Sequence, residues 1–329
     1  MLRQISAGQT SFRLNRPFRI SRGTKTAADV VTVEITQGGV IGRGEGVPYA
    51  RYDETLDSAL QEIERARIAI EAGVDRRGLL DLMPAGAGRN AVDCALWDLE
   101  AKLAGKSVSE LVGWPEPAPV ATAMTVGIDT PANMAAAALV LHNVPLLKVK
   151  VDDDDPLAAL RAVREVAPTP RLIVDPNESW SMQGLADRQA ALAGLKVDLL
   201  EQPLPAGEDA ELEGFAPLVP LAADESGHVW DDIPQIARRY QVINIKLDKT
   251  GGLTTAFEVS TAAQQAGLQL MVGCMVSSSL SIAPALVLAQ RCAFIDLDGP
   301  TWLAADRPHG VKEVEGVMTP AAQGFWGSP

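Results

Sequence analysis

The sequence predicts an α/β protein: a TIM-like (β/α) barrel placed behind an α+β N-terminal segment. Three observations predict it. A strand–helix unit recurs from residue 120 onward, the first third of the chain has a different texture, and charged residues fall at the same point of successive units. With 329 residues, 47% of them hydrophobic, the chain can bury a large core and fill two domains.

The N-terminal segment opens with strand patterns. Val30–Thr36 and Val40–Gly46 flank Gly38-Gly39, the composition of a hairpin. Helical patterns follow over roughly 53–72 and 89–104, the second ending at Gly105. Strands followed by helices make an α+β unit. The proline-rich run Trp114–Pro119 marks its end, so the expected domains are 1–117, a barrel over 118–310, and a C-terminal segment, 311–329, that returns to the first domain.

From residue 120, short apolar runs end near Thr125, Lys150, Asp175, Glu201, Asp224, Lys246, Gly273 and Asp296, spaced by 22 to 27 residues on subtraction. Each interval reads as an alanine-rich helix, as in Leu157–Val166. A unit of roughly 25 residues repeated about eight times is the pattern of a (β/α) barrel. The alternative, an open doubly wound sheet, lacks its G-x-G-x-x-G turn.

Composition narrows the function. A formal net charge of −13 argues against nucleic acid, which needs clustered Lys and Arg. Cys94, Cys274 and Cys292 form neither a disulfide framework nor a C-x-x-C pair, as expected of a reducing cytoplasm. The N-terminus lacks the apolar run of a signal peptide, and Leu268–Gln290 reads as a strand and a helix, so no membrane partner is expected. The assembly state is open, a homo-oligomer included. The four aspartates 152–155 before Pro156 read as cap chemistry at a helix start.

Barrel enzymes place their chemistry at the C-terminal ends of the strands. Asp175, Glu201 and Asp224 close three consecutive strands here, roughly 5 Å apart in a barrel, so three carboxylates converge. Such a cluster repels itself unless a cation neutralises it, and an all-oxygen set suits Mg²⁺. Lys148-Val-Lys150 ends the second strand with both lysines on one face. Lys246 ends the sixth strand, across the barrel, with the acidic strands between.

Five motifs, Lys148-Val-Lys150, Asp175-Pro-Asn177, Glu201-Gln-Pro203, Asp224-Glu-Ser226 and Asn244–Gly252, together resemble the enolase superfamily over essentially the whole chain. The resemblance implies a (β/α)7β TIM-like barrel with an α+β N-terminal capping domain, and an Mg²⁺ ion on Asp175, Glu201 and Asp224 with Asn177 behind them. The paired lysines look like the muconate-cycloisomerase branch; the mandelate-racemase branch has a His base on strand seven, where this chain reads Met271–Ser277 without histidine. His142, His228 and His309 are given ordinary surface or loop roles. Phe294-Ile-Asp-Leu-Asp298 resembles the D-x-D motif of dipeptide epimerases, in which Asp296 and Asp298 would hold the ammonium of the first residue. An ordinary strand-end turn at Asp298-Gly299 is the plainer alternative. Arg22, in a loop that also carries Arg19 and Lys25, resembles the arginine that grips an acidic second side chain. Thr125, Cys274 and Met275 are expected to line the same pocket. Pro176 departs from the family, where a small residue is more usual.

The activity this implies is epimerisation of a dipeptide at its second residue, with L-Ala-D/L-Glu, a murein peptide, as the expected substrate. Mg²⁺ and Lys148 would stabilise an enediolate, while Lys150 and Lys246 exchange protons from opposite faces. A lysine serves as base only as a free amine, so burial and nearby cations are expected to lower its pKa from about 10.4. The rivals are a muconate cycloisomerase or o-succinylbenzoate synthase on the same fold, and a non-catalytic binding barrel.

Overall fold

The computed structural model describes residues 3–21 and 23–329. Three antiparallel strands open the chain: β1 (Gln4–Ile20), β2 (Gly23–Gln37) and β3 (Val40–Gly46). The hairpin read over 30–46 is present, extended by a partner that was not anticipated. β1 is largely solvent-facing and polar, so it carries little apolar alternation to betray it. Helices α1 (Leu56–Glu71), α2 (Arg76–Leu82), α3 (Ala87–Ala104) and α4 (Val108–Val112) follow. Asp75 caps α2 by accepting from Gly78 N at 2.7 Å, and Gly105 ends α3 at φ +61°.

Helix α3 is buried along nearly its whole length because β3 lies directly against it. A Cβ on Gly42, Gly44 or Gly46 would come within 2.2, 2.0 and 2.1 Å of the carbonyls of Ala95, Ala91 and Ala87. The alternating glycines of the strand thus match the four-residue spacing of alanines on the helix. A distinct apolar core lies here, built on Val31, Val33, Ile35, Ile63, Leu79, Leu96 and Leu99.

After β4 (Val120–Ala121) comes a parallel eight-stranded sheet. Its members are β5 (Met124–Val126), β6 (Leu146–Lys150), β7 (Arg171–Asp175), β8 (Leu199–Glu201), β9 (Leu221–Ala223), β10 (Val242–Ile245), β11 (Gln269–Gly273) and β12 (Phe294–Asp296), paired in sequence order. Ala123 N donates to Ile295 O at 2.7 Å, bringing the first strand to the last. Seven helices lie between the strands: α5 (Pro131–Val140), α6 (Pro156–Val166), α7 (Met182–Gly194), α8 (Ile233–Arg239), α9 (Leu247–Thr250), α10 (Leu253–Gln265) and α11 (Ser279–Ala289). The expected helix between β8 and β9 is absent. Residues 203–220 hold Pro203, Pro205, Pro217, Pro220, Gly207 and Gly214 and form a single 3-10 turn, Ala210–Leu212. Asp155 caps α6 ahead of Pro156, as the acidic run suggested.

Strand β14 (Val317–Thr319) pairs with β13 (Lys312–Val314) on one side and with β4 on the other. Beyond them, Trp326 Nε1 donates to Cys94 O at 3.1 Å and Gly327 N to Asp98 Oδ1 at 2.6 Å, both on α3.

The barrel interior is stacked in floors. The lowest is an apolar cluster of Ala123, just ahead of β5, with one residue from each later strand: Leu146, Ile173, Leu199, Ala222, Val242, Met271 and Phe294. Side chains two positions on share the same face, so the next floor is Thr125, Lys148, Asp175, Glu201, Asp224, Asn244, Gly273 and Asp296. A further step of two reaches Lys150, Asn177, Lys246, Met275 and Asp298. The apolar floor excludes water from below, and the charged floors face the cap.

Candidate active site

Every acid and lysine of the two charged floors is buried; Asp175, Glu201 and Asp224 are 0% exposed. Burying three carboxylates together is costly unless cations compensate. Lys148 Nζ lies 3.0 Å from Asp175 Oδ2, 2.7 Å from Glu201 Oε2 and 2.7 Å from Asp296 Oδ2. Its ammonium therefore stands at the point where the sequence expects the carboxylates to converge. Among the described residues, no three acids, cysteines or histidines approach at metal-ligand spacing.

The flanking lysines are paired as well. Lys150 Nζ donates to Asp175 Oδ2 at 2.5 Å and to Asn177 Oδ1 at 3.1 Å, and Lys246 Nζ donates to Asp224 Oδ2 at 2.6 Å. Strands β7, β8 and β9 separate β6 from β10, so Lys150 and Lys246 reach the acids from two sides. Gly273 makes this room: a Cβ there would lie 2.6 Å from Asn244 Oδ1 and 3.0 Å from Lys246 Cε.

Electrostatics follow from these distances. Burial raises Asp175, but Lys150 and Lys148 bring it down to about 2. Burial likewise raises Asp224, and Lys246, Lys249 and Lys148 hold it well below the carboxylate range. Glu201 goes the other way, pushed up to about 8 by burial and by the Asp175 charge. Burial pulls on Lys148 and Lys246 too, yet their carboxylate neighbours hold both well above the ordinary lysine value. The expected lowering is thus not found at Lys246: a carboxylate 2.6 Å away outweighs desolvation.

These residues fit a divalent cation on two counts. The donors are all oxygen, and the Lys148 ammonium already stands in for a positive charge among them, 2.7 Å from the buried Glu201 Oε2.

On the far side, Thr125 N donates to Asp298 Oδ2 at 2.9 Å, and Trp302 Nε1 reaches the same oxygen at 3.3 Å. Burial and neighbouring Asp296 raise Asp298 to about 6. Thr125, Cys274, Met275, Asp296 and Asp298 line one cavity with Lys148, Lys150, Lys246 and Asn177. Burial, with Asp296 and Asp298, pushes the Cys274 thiol far up, so it lines the wall as a neutral group.

The cap contributes Phe18, Ile20, Lys25, Tyr49 and Tyr52 to that cavity. Lys25 lies over the Tyr49 ring, 4.8 Å from its centroid. Arg19 lines a separate cavity beside Gly127 and Asp129, and Arg22 lies outside the described residues. His228 is more than a surface residue. Its Nε2 pairs with Glu225 O at 3.1 Å and its ring packs edge-on against Tyr52, with burial lowering its pKa to about 4. Tyr49 and Tyr52 carried no signal in the sequence, since their loop has no pattern tying it to a strand end. Lys249 could have been found, one helical turn past Lys246 in a motif already singled out. Its Nζ donates to Asp224 Oδ1 at 2.8 Å, to Asn244 O at 2.9 Å and to Asp224 O.

Residues 5–113 match the family model of the mandelate racemase / muconate lactonizing enzyme N-terminal domain, and residues 132–323 match the enolase C-terminal domain-like model. The L-Ala-D/L-Glu epimerase of Escherichia coli K12 is 45% identical over 307 residues, 93% of this chain and 96% of that protein. An N-acetyl-D-glutamate racemase from a Pseudoalteromonas species is 43% identical over 300 residues, 91% and 95% of the two chains. An enolase family member from Agrobacterium tumefaciens with homology to dipeptide epimerases, solved with sodium and L-Ala-L-Glu, superposes with a TM-score of 0.96. It shares 45% identity, with 99% of this chain and 100% of that one covered. A dipeptide epimerase from Enterococcus faecalis, solved with Mg and L-Leu-L-Tyr, gives a TM-score of 0.88 at 29% identity, covering 98% of each chain. With both of its halves matched, this chain belongs to the enolase superfamily and is an isomerase of the epimerase and racemase kind.

Proposed function

We propose that the chain is a Mg²⁺-dependent dipeptide epimerase that inverts the α-carbon of the second residue, with L-Ala-D/L-Glu as its substrate. The observation that carries this reading is the placement of Lys150 and Lys246 on two sides of Asp175, Glu201 and Asp224. Relatives and solved neighbours that act on or hold dipeptides support it.

Mg²⁺ on Asp175, Glu201 and Asp224 would neutralise the acids and act as Lewis acid toward the substrate carboxylate. The chain's own residues do the rest. Lys148, fully buried on the second floor, steadies the negative charge that builds on that carboxylate. One of Lys150 and Lys246 removes the α-proton as a free amine, and the other, as ammonium, returns a proton to the opposite face. Asn177 holds Lys150 through its Oδ1. Asp296 and Asp298 take the substrate's ammonium beside Thr125, Cys274 and Met275. Arg22 or Lys25 takes the acidic second side chain. In this division, residues 1–117 cap the site, 118–310 carry the chemistry, and 311–329 tie the two together.

Three observations favour a second reading, racemisation of an N-acylated glutamate. Asp298 already accepts from Thr125 N and Trp302 Nε1, Asp296 is paired with Lys148, and one relative is an N-acetyl-D-glutamate racemase. The two readings separate in D₂O with Mg²⁺, following the glutamate α-proton of L-Ala-L-Glu and of N-acetyl-L-glutamate by NMR. Faster exchange and epimerisation of the dipeptide supports the first; a preference for the N-acetyl compound establishes the second. Inertness toward both would return the cycloisomerase and binding-barrel alternatives.

A further inference from the structure

Each of the three central carboxylates has one oxygen tied back to the protein and one turned into the site. Asp175 Oδ1 accepts from Asn177 N at 2.8 Å, Glu201 Oε1 from Asn244 Nδ2 at 2.9 Å, and Asp224 Oδ1 from Lys249 Nζ at 2.8 Å. The other oxygens, Asp175 Oδ2, Glu201 Oε2 and Asp224 Oδ2, face the catalytic lysines at 2.5 to 3.0 Å. Asn177 Nδ2 also touches Asp175 Oδ2 at 3.3 Å, a longer and weaker contact. Lys249 is 0% exposed along its side chain and has three acceptors, so rotating it away would strand an ammonium without solvent. Asn244 is equally enclosed, on the floor between Asp224 and Gly273.

We propose that Asn244 and Lys249 are positioning residues that restrict Glu201 and Asp224 to one-oxygen ligation, and thereby make the site prefer Mg²⁺ to Ca²⁺. The inference rests on the reading of the three acids as metal ligands. Mg²⁺ requires a small, near-octahedral shell and takes carboxylates through single oxygens. Ca²⁺ accepts six to eight oxygens and gains from two-oxygen carboxylate contacts. A carboxylate with one oxygen accepting from a charged donor or a buried amide is held in one orientation, and turning that oxygen toward the ion for a second contact strains the bond behind it. Three such carboxylates on neighbouring strands leave a shell suited to the smaller ion, with its remaining positions open to water and substrate. The effect is separable from charge. Removing the Lys249 ammonium changes the attraction for two divalent ions alike, whereas freeing an oxygen helps only the ion that can use it.

Calorimetric titration of wild type, Lys249→Met and Asn244→Leu with Mg²⁺ and with Ca²⁺, without substrate, tests this. The ratio of Ca²⁺ to Mg²⁺ affinity should rise about tenfold in either variant. A ratio unchanged in both overturns the inference. Asp175→Asn is titrated alongside. If it binds Mg²⁺ as wild type does, the ligand assignment fails and the inference with it, an outcome distinct from an unchanged ratio at an intact site. If both variants misfold, Mg²⁺- and Ca²⁺-loaded crystals of the wild type decide. Single-oxygen contacts from Glu201 and Asp224, with Asn244 and Lys249 still bonded behind them, support it; a two-oxygen contact from either acid overturns it.

Discussion

At the scale of single residues, the two lysines make the sharpest prediction. Lys150→Ala should abolish solvent exchange of the α-proton from one epimer of the substrate and spare exchange from the other. Lys246→Ala should show the reverse, and neither variant should epimerise. NMR in D₂O measures both, and near wild-type epimerisation by one single variant would refute the paired-base reading. Lys25 gives a second expectation. It is exposed, so its pull on an acidic side chain is worth about 0.5–1 kcal/mol, or roughly two- to fivefold in kcat/KM. If Arg22 forms a desolvated pair, Arg22→Ala should instead cost about 30- to 4,000-fold. Comparing the two variants on L-Ala-L-Glu and on a dipeptide with an apolar second residue identifies the grip. The charged residues of the barrel were legible because a strand end is a fixed address. Counting by two from each apolar run reaches Thr125, Lys148, Asp175, Glu201, Asp224 and Asp296 directly. Lys249 was not assigned because it sits on α9 and points back beneath the strand ends, a direction that strand alternation does not encode.

At the scale of elements, the contact of β3 with α3 is the least forgiving in the fold. Gly44→Ala would drive a Cβ to 2.0 Å from the Ala91 carbonyl, and backbone on both sides leaves no flexible group to yield. The expected cost is about 3 kcal/mol or more, read as a lowered urea midpoint at unchanged m-value. Gly8→Ala on exposed β1, with nothing within 4 Å, is the control and should change little. The same elements show what sequence patterns could carry. The β2–β3 hairpin has strong alternation and a two-glycine turn, and α3 is closed by Gly105. β1 faces solvent along most of its length and is recognisable chiefly through its pairing with β2. The missing helix between β8 and β9 was overcalled by extending a repeat across a segment that its own prolines forbid.

At the scale of the whole molecule, α3 joins the two cores through buried polar groups. Arg89 donates to the carbonyls of Gly251 and Thr250, Asp93 accepts from Thr254 N and Oγ1, and Asn90 Nδ2 donates to Asp248 Oδ1. Burial, with Glu54 and Glu45 nearby, raises Asp248 to about 7, and burial raises Asp93 to about 6. For an acid whose folded pKa is raised, the folded state binds the proton more tightly than the unfolded chain. These two groups therefore make stability fall as pH rises from about 4 to about 7, with no further change from them above that range. Unfolding in urea at pH 5 and pH 8 should show lower stability at pH 8, and Asp248→Asn should shrink the difference. An undiminished difference would place the pH dependence elsewhere.

The facing lysines have a further consequence for successive turnovers. If, as proposed, a proton leaves toward Lys150 and another arrives from Lys246, the product departs from an enzyme whose two amines have traded roles. The molecule then stands ready for the epimer it has just made, and must exchange with solvent before it can repeat the same direction. At high substrate concentration that resetting, rather than bond breaking, should limit flux. The enzyme would then keep a short memory of its last direction, written in one proton.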